Sequence, residues 1–82
     1  MPSDQGEPPG ARSDARGLAV FGRNLRAARE AAGLAQADLE RLTGIRQHHI
    51  SAIENGHSDV KLRTMIRLAR AVGKDVRALL TP

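Results

Sequence analysis

One short stretch of the chain carries side chains that are suited to contacting nucleic-acid bases. If residues 46–54 form a helix, their apolar members share one side. The other side carries groups that can donate hydrogen bonds, accept them, or make apolar contact with base edges; these are Arg46, Gln47, His48, Ser51 and Ala52. Gln47 could make a two-point contact with adenine, Arg46 could hold guanine or a phosphate, and Ala52 could touch a thymine methyl group.

Two short helices joined by a tight turn would position this face. The apolar spacing predicts one helix over residues 36–43 and a second from residue 46 or 47 to 54, with Thr43-Gly44-Ile45 between them. Glycines stand where a chain leaving a helix turns left-handed: Gly33, Gly44 and Gly56. Five apolar residues are expected to share one small core: Leu39, Leu42, Ile45, Ile50 and Ile53. This arrangement is that of a helix-turn-helix.

Three further helices are predicted around this pair. Helix one should span about residues 18–32, with Leu18, Phe21, Leu25 and Ala28 on one face. Helix four, about residues 62–72, is the most apolar and is expected to be the central packing element; its apolar residues are Leu62, Met65, Ile66, Leu68, Ala69 and Val72. Helix five, about residues 76–80, can be capped by Asp75.

Residues 1–17 are predicted to form a disordered tail. They contain three prolines, three glycines and few apolar side chains, so they cannot bury enough surface to offset the entropy of ordering. Arg12 and Arg16 could instead reach into a minor groove. The acidic residues in the same stretch, Asp4, Glu7 and Asp14, oppose that alternative.

The composition of the chain limits its class. Eighty-two residues make one domain at most. The absence of cysteine excludes disulfides and thiolate metal sites. No apolar run approaches bilayer length, and no membrane contact and a cytoplasmic location are expected. The formal charge is +4, and Arg supplies eleven of the thirteen basic residues, which mildly favours nucleic acid as partner.

No cofactor or metal site is predicted. Three histidines lie close together in the sequence, but His48 and His49 are neighbours on a helix and so point in different directions. A metal site that combines them with His57 is therefore disfavoured.

A longer pattern surrounds the helix-turn-helix. It comprises Arg26, Arg29, Gly33-Leu34, Gln36, Leu39, Gly44-Ile45, Ile50-Ser51, Ile53-Glu54-Asn55-Gly56, the run 62–73, Val76 and Leu79-Leu80. With this pattern the chain from about residue 21 to 80 resembles the Cro/C1-type (XRE-type) helix-turn-helix domain of phage repressors and many small bacterial regulators. The resemblance implies an all-α fold, a compact five-helix lambda-repressor-like DNA-binding domain over residues 18–82 that follows the disordered tail.

The resemblance also implies which side chains meet DNA. Those at the start of helix three and one turn later face the bases: Gln47, His48, Ser51 and Ala52. Asn55 and the amides after it meet the sugar-phosphate chain, where Lys61 and Arg63 could add positive charge. His49 is expected to lie against the DNA backbone or in solvent. Gln36 is assigned to a phosphate because free N–H groups and the positive end of the helix dipole gather at the start of helix two.

Two structural expectations follow from the same resemblance. Arg29 is expected to pair with Glu54, tying helix one to the end of helix three. The family has Ser or Thr at three helix starts where this chain has Ala35, Arg46 and Lys61. Each missing cap would cost about 0.5–2 kcal/mol unless another group replaces it.

The leading functional hypothesis is a repressor that occupies an operator in double-stranded DNA as a homodimer through helix 76–80, with Leu79 and Leu80 at the interface. One alternative is the antitoxin of a toxin–antitoxin pair, whose tail binds a toxin. Another is a protein-interaction module that uses helix three on a protein partner and has no salt-dependent DNA affinity. No constellation of residues typical of an enzyme is recognised.

Overall fold

Residues 11–82 of the computed structural model are described here, with side chains from residue 14 onward, and they form five α-helices. In chain order these are α1 (Ala11–Ala31), α2 (Gln36–Thr43), α3 (Gln47–Glu54), α4 (Leu62–Ala71) and α5 (Val76–Leu79). Helix α3 packs against α1 and α2, whereas α4 packs against α2 and α5, and α5 returns to α1. The predicted all-α, five-helix fold is confirmed, and the bounds of α2 to α5 lie within one residue of those predicted.

One apolar core joins all five helices. Its fully buried large side chains are Phe21, Leu25, Leu39, Ile50, Ile53 and Leu68. Ile45 packs against this cluster from the turn between α2 and α3. The expectation that α4 is the central packing element is wrong, because α1 contributes four buried apolar side chains whereas α4 contributes two, Leu68 and Ala69.

Helices α1 and α3 approach each other closely at Gly22. A Cβ atom added to Gly22 would lie 2.2 Å from the carbonyl oxygen of Ile53. Because that atom belongs to the backbone, it cannot move aside as a flexible side chain does. Only glycine at position 22 lets the two helices pack at this distance.

The end of α5 is fastened to α1 by one side chain. The Asn24 amide nitrogen donates hydrogen bonds to the carbonyl oxygens of Leu79 and Thr81, each over 2.9 Å. At the other end of α5, the Asp75 carboxylate accepts a hydrogen bond from the Arg77 N–H, as predicted for its cap. These contacts hold a four-residue helix that is too short to be stable alone.

The predicted start of helix one is wrong. Helix α1 begins at Ala11, seven residues before Leu18, so residues 11–17 are helical rather than disordered. The last proline of the N-terminal stretch is Pro9, and the following residues include two arginines and two alanines, which favour helix. Asp14 lies in the first turn, where a carboxylate interacts favourably with the helix dipole. The predicted disorder of residues 1–10, and the side chain of Arg12, lie outside the described residues.

Three leucines differ from their predicted environment. Leu42 is 56% exposed, because α2 turns Leu39 and Thr43 inward, four residues apart, instead of Leu39 and Leu42. Leu62 is 60% exposed, since it is the first residue of α4 and the buried residues of that helix lie in its second half. Leu79, predicted at a dimer surface, is buried in the core of its own chain.

None of the helices in residues 11–82 is both long enough and apolar enough to cross a membrane.

Candidate nucleic-acid interface

Helix α3 has one side anchored in the core and the other in solvent. Ile50 and Ile53 are buried, while Arg46, Gln47 and His48 are exposed. Ser51 and Ala52, one turn further on, are half-buried at the edge of the same face. The five residues that are predicted to contact bases therefore lie on the outer side of α3 and at its start.

The start of α3 is set by the backbone of Arg46, which has φ −59° and ψ 141°. Its carbonyl oxygen accepts hydrogen bonds from the N–H groups of His49 and Ile50, each over 3.0 Å. The Arg46 side chain makes no cap, so the cap that is missing from the sequence is also missing in the structure. Its guanidinium group is left on the surface beside Gln47.

The turn between α2 and α3 is held by Thr43 and Gly44. Gly44 has φ +77°, which glycine adopts without strain, and its N–H donates to the Glu40 carbonyl oxygen. The Thr43 hydroxyl donates to the Leu39 carbonyl oxygen over 2.7 Å and accepts from the Ile45 N–H over 3.1 Å. This one buried hydroxyl satisfies backbone groups on both sides of the turn and fixes where α3 begins.

At the start of α2 the structure has one half of a capping box, in which a carboxylate of the first turn reaches back to the backbone N–H of the capping residue. The Ala35 N–H donates a hydrogen bond of 2.8 Å to Asp38 Oδ2, although Ala35 itself has no capping side chain. Arg41 donates to the other oxygen of the same carboxylate over 3.2 Å. The hydrogen bond from Ala35, and to a lesser extent that from Arg41, holds the pKa of Asp38 below its ordinary value.

A buried ion pair joins α1 to the end of α3. Arg29 donates from Nε to Glu54 Oε2 over 2.6 Å and from a terminal nitrogen to Oε1 over 3.0 Å. A third N–H of Arg29 donates to the Leu34 carbonyl oxygen. The hydrogen bonds that Arg29 donates to Glu54 raise the pKa of Arg29 above its ordinary value. The pair is bidentate, so it fixes both the distance and the orientation of α3.

Gln36 joins the same network from the first residue of α2. Its Nε2 donates to Glu54 Oε1 over 3.0 Å, and the residue is half-buried. An amide nitrogen has two N–H groups, so one remains for a phosphate oxygen. Gln36 therefore links the predicted phosphate contact to the last residue of α3.

The other predicted phosphate contacts lie in the first turn of α3, directly after that helix, and at the start of α4. His49 is half-buried and its Nε2 lies 3.2 Å from the Ser58 hydroxyl oxygen. Asn55 follows the helix, is exposed, and donates from its side chain to the Ser51 carbonyl oxygen. Lys61 and Arg63, before and within the first turn of α4, are exposed. Lys61 makes no side-chain cap for that helix.

A family model described as helix-turn-helix matches residues 25–79, which is most of the chain and includes all of this geometry. The chain belongs to this helix-turn-helix family. It is of the Cro/C1 type, whose members are DNA-binding transcriptional regulators. An uncharacterised HTH-type transcriptional regulator of Sinorhizobium fredii is 41% identical over 58 residues. That match covers 71% of this chain and 29% of the relative, so the chain spans less than a third of that protein.

Two solved structures share the fold of this helix-turn-helix domain. The restriction-modification controller protein C.AhdI from Aeromonas hydrophila superposes with a TM-score of 0.72 and 35% identity, over 76% of this chain and 94% of C.AhdI. A hypothetical transcription factor from Neisseria, NHTF, gives a TM-score of 0.76 and 30% identity, over 80% of this chain and 76% of the other.

The sequence does not predict the roles of four residues that position the helix-turn-helix: Gly22, Asn24, Asp38 and Thr43. Asp38 stands three residues after the helix start, where a carboxylate can reach back to the N–H of the capping residue, so its position was a usable signal. Gly22 and Asn24 carried no such signal, because their partners lie about 30 and 55 residues away along the chain.

Proposed function

We propose that this domain represses transcription by occupying an operator whose major groove is read by α3. The observation that carries the proposal is the contrast between the two sides of that helix. Ile50, Ile53 and Glu54 fix the inner side, while the outer side is exposed. Among residues 14–82, no side-chain hydrogen bond involves Arg46, Gln47 or His48.

The chemistry of the outer side suits base edges. The guanidinium group of Arg46 matches the two acceptors of guanine, and the amide of Gln47 matches the donor and acceptor of adenine. His48 can donate or accept, according to its tautomer. Ser51 and Ala52, half-buried one turn later, suit a hydroxyl contact and a thymine methyl contact close to the helix axis.

Groups that can hold the backbone of DNA flank this face. Gln36 lies at the start of α2, where backbone N–H groups and the helix dipole favour a phosphate. His49 lies in the first turn of α3, Asn55 directly follows that helix, and Lys61 and Arg63 are exposed at the start of α4. Phosphate contacts on both sides would fix the register of α3 in the groove without reading sequence.

Two copies are proposed to bind one operator. A single module contacts few base pairs, so specificity favours a two-fold dimer on half-sites about 34 Å apart. Because Leu79 is buried, the proposed contact through α5 depends on Leu80, which is 43% exposed and follows that helix directly.

The antitoxin alternative stays a prediction. It places a toxin on residues 1–17, of which residues 1–10 lie outside the described part of the chain. A toxin-like protein encoded by the neighbouring reading frame would favour it over an operator-only role.

Selection of bound duplexes from a random DNA pool tests the proposal. The expected result is one enriched motif with two inverted half-sites about one helical turn apart, and an affinity that falls steeply as salt is added. Enrichment of no motif, with weak and salt-independent binding, would overturn the proposal and favour the protein-interaction alternative.

A further inference from the structure

The proposed function takes only Arg63 from the lining of a groove between α2 and α4 and leaves the rest of that groove unused. The groove is an open depression of about 570 Å³ that is lined by Leu42, Arg63, Ile66, Arg67, Arg70 and Ala71. Its lining is half apolar, from Leu42, Ile66 and Ala71, and half charged, from three arginines of α4. None of the lining residues belongs to α3, so this groove is separate from the outer face of that helix.

Exposed apolar side chains lie in this groove and one turn before it on α4. Leu42 is 56% exposed and Leu62 is 60% exposed, and they are two of the three large apolar side chains that the described residues expose. Ile66 is half-buried and follows Leu62 by four residues, so the two lie on the same face of α4. Exposed leucines that adjoin an apolar groove mark a surface that gains free energy when a partner covers it.

The charged part of the groove is a row of arginines without carboxylate partners. Arg63, Arg67 and Arg70 are spaced by four and three residues, which places them along one side of α4. The four ion pairs among residues 14–82 involve Arg26, Arg29, Arg41 and Arg77, and none involves this row. The row spans about 10 Å, or two helical turns.

We propose that this groove binds an acidic amphipathic helix of a protein partner. Leucine-like side chains at helical spacing would cover Leu42 and Ile66, and carboxylates along the adjoining edge would pair with Arg67 and Arg70. Both the apolar and the charged features of the groove are matched by this one occupant.

Two other occupants match only one feature each. A DNA backbone would pair with the arginines but would leave Leu42 and Leu62 exposed to water. A second copy of this chain, related by a two-fold axis through the groove, would cover the leucines but would bring six guanidinium groups together, which is repulsive.

A synthetic peptide helix of about four turns, with leucines on one face and glutamates on the adjoining edge, is a suitable probe. Binding is followed by fluorescence anisotropy of the labelled peptide and by amide chemical shifts of the isotope-labelled protein. The expected result is saturable binding with shifts at Leu42, Ile66 and Ala71. A peptide of the same composition with its glutamates moved to the opposite face should bind at least about tenfold more weakly.

Variants of the protein separate this groove from general attraction between opposite charges. Arg67→Glu/Arg70→Glu and, separately, Leu42→Ser should each weaken peptide binding about tenfold or more. Arg23→Glu, on an exposed arginine of α1, is the matched control and should change it less than about threefold. Because Arg67, Arg70 and Leu42 are all exposed, thermal unfolding should show that the variants remain folded.

Several results would overturn the proposal. One is equal binding of the two peptides, and another is an equal loss in Arg23→Glu and Arg67→Glu/Arg70→Glu. If Arg67→Glu/Arg70→Glu weakens binding to all DNA duplexes and leaves peptide binding unchanged, the row is a DNA contact. If Leu42→Ser converts a dimer into a monomer in sedimentation equilibrium, the groove is a contact between copies. None of these outcomes bears on whether α3 reads DNA.

Discussion

Arg29 Nε lies 2.6 Å from Glu54 Oε2, and the two side chains are only 10% and 2% exposed. This pair joins the last turn of α1 to the last residue of α3, and Gln36 adds a hydrogen bond from α2 to the same carboxylate. The three helices that determine where the outer face of α3 lies therefore meet at one buried carboxylate.

Arg29→Ala should lower the free energy of unfolding by about 3–5 kcal/mol, because it leaves the Glu54 carboxylate buried without its counter-charge. Urea unfolding measures the loss. Arg26→Ala is the control: the Arg26–Glu30 pair is exposed on the same helix, and its removal should cost about 0.5 kcal/mol or less. Equal losses in the two variants would show that the buried pair does not fix α3.

Gly22→Ala should destabilise the domain by about 1–3 kcal/mol, since its methyl group would meet the Ile53 carbonyl oxygen. Gly17→Ala is the matched change within the same helix, where an added Cβ meets nothing within 4 Å. It should stabilise the domain by about 0.4–1 kcal/mol if α1 is helical at that position. Thermal unfolding separates the two, and a neutral or destabilising Gly17→Ala would contradict the early start of α1.

The Asp38 carboxylate should make the stability of the domain depend on acid pH. Its folded-state pKa is lowered mainly by the Ala35 N–H and to a lesser extent by Arg41. Its contribution to the free energy of unfolding is therefore complete above the unfolded-state pKa of 3.8 and is lost as the pH falls through the lower, folded-state pKa. The melting temperature of the native protein should exceed that of Asp38→Ala at about pH 6, and the difference should shrink as the pH falls below 3.8. A difference that stays constant across this range would contradict the role of the carboxylate.

Gln36→Ala should weaken binding to every DNA sequence by nearly the same factor, because a phosphate contact carries no sequence information. Binding titrations with matched and mismatched duplexes test this. Lys61→Ala should behave similarly and reduce the slope of log affinity against log salt by about one. A Gln36→Ala loss confined to one duplex would mean that Gln36 contacts a base.

The sequence predicted the parts of the fold that depend on local spacing. Residues 36–54 form the two predicted helices, and Gly33, Gly44 and Gly56 have φ between +73° and +77° as expected. Apolar periodicity and left-handed glycines are local properties of the sequence, so they can be predicted without knowledge of the tertiary contacts. The proposed DNA contacts are a different matter, since they rest on resemblance and exposure and stay predictions.

The wrong predictions concern packing between distant parts of the chain. Helical spacing from Leu39 allows either Leu42 or Thr43 to face the core. Thr43 is the buried one because its hydroxyl bonds to the Leu39 carbonyl oxygen and to the turn. Leu79 is buried because Asn24, 55 residues away, fastens the end of α5 to α1. The composition of residues 1–17 hides the start of α1, because the three prolines all precede Ala11 while the residues after it favour helix.

The central claim is that the outer side of α3 reads bases, and titration of Gln47→Ala against an operator and its single-base variants tests it most directly. Gln47 is exposed and packs on nothing that the fold requires, so the variant should keep its melting temperature. It should lose about 1–3 kcal/mol of binding free energy on the preferred duplex, and it should no longer discriminate between bases at one base pair in each half-site. An unchanged ranking of the duplexes, with full affinity, would contradict the claim.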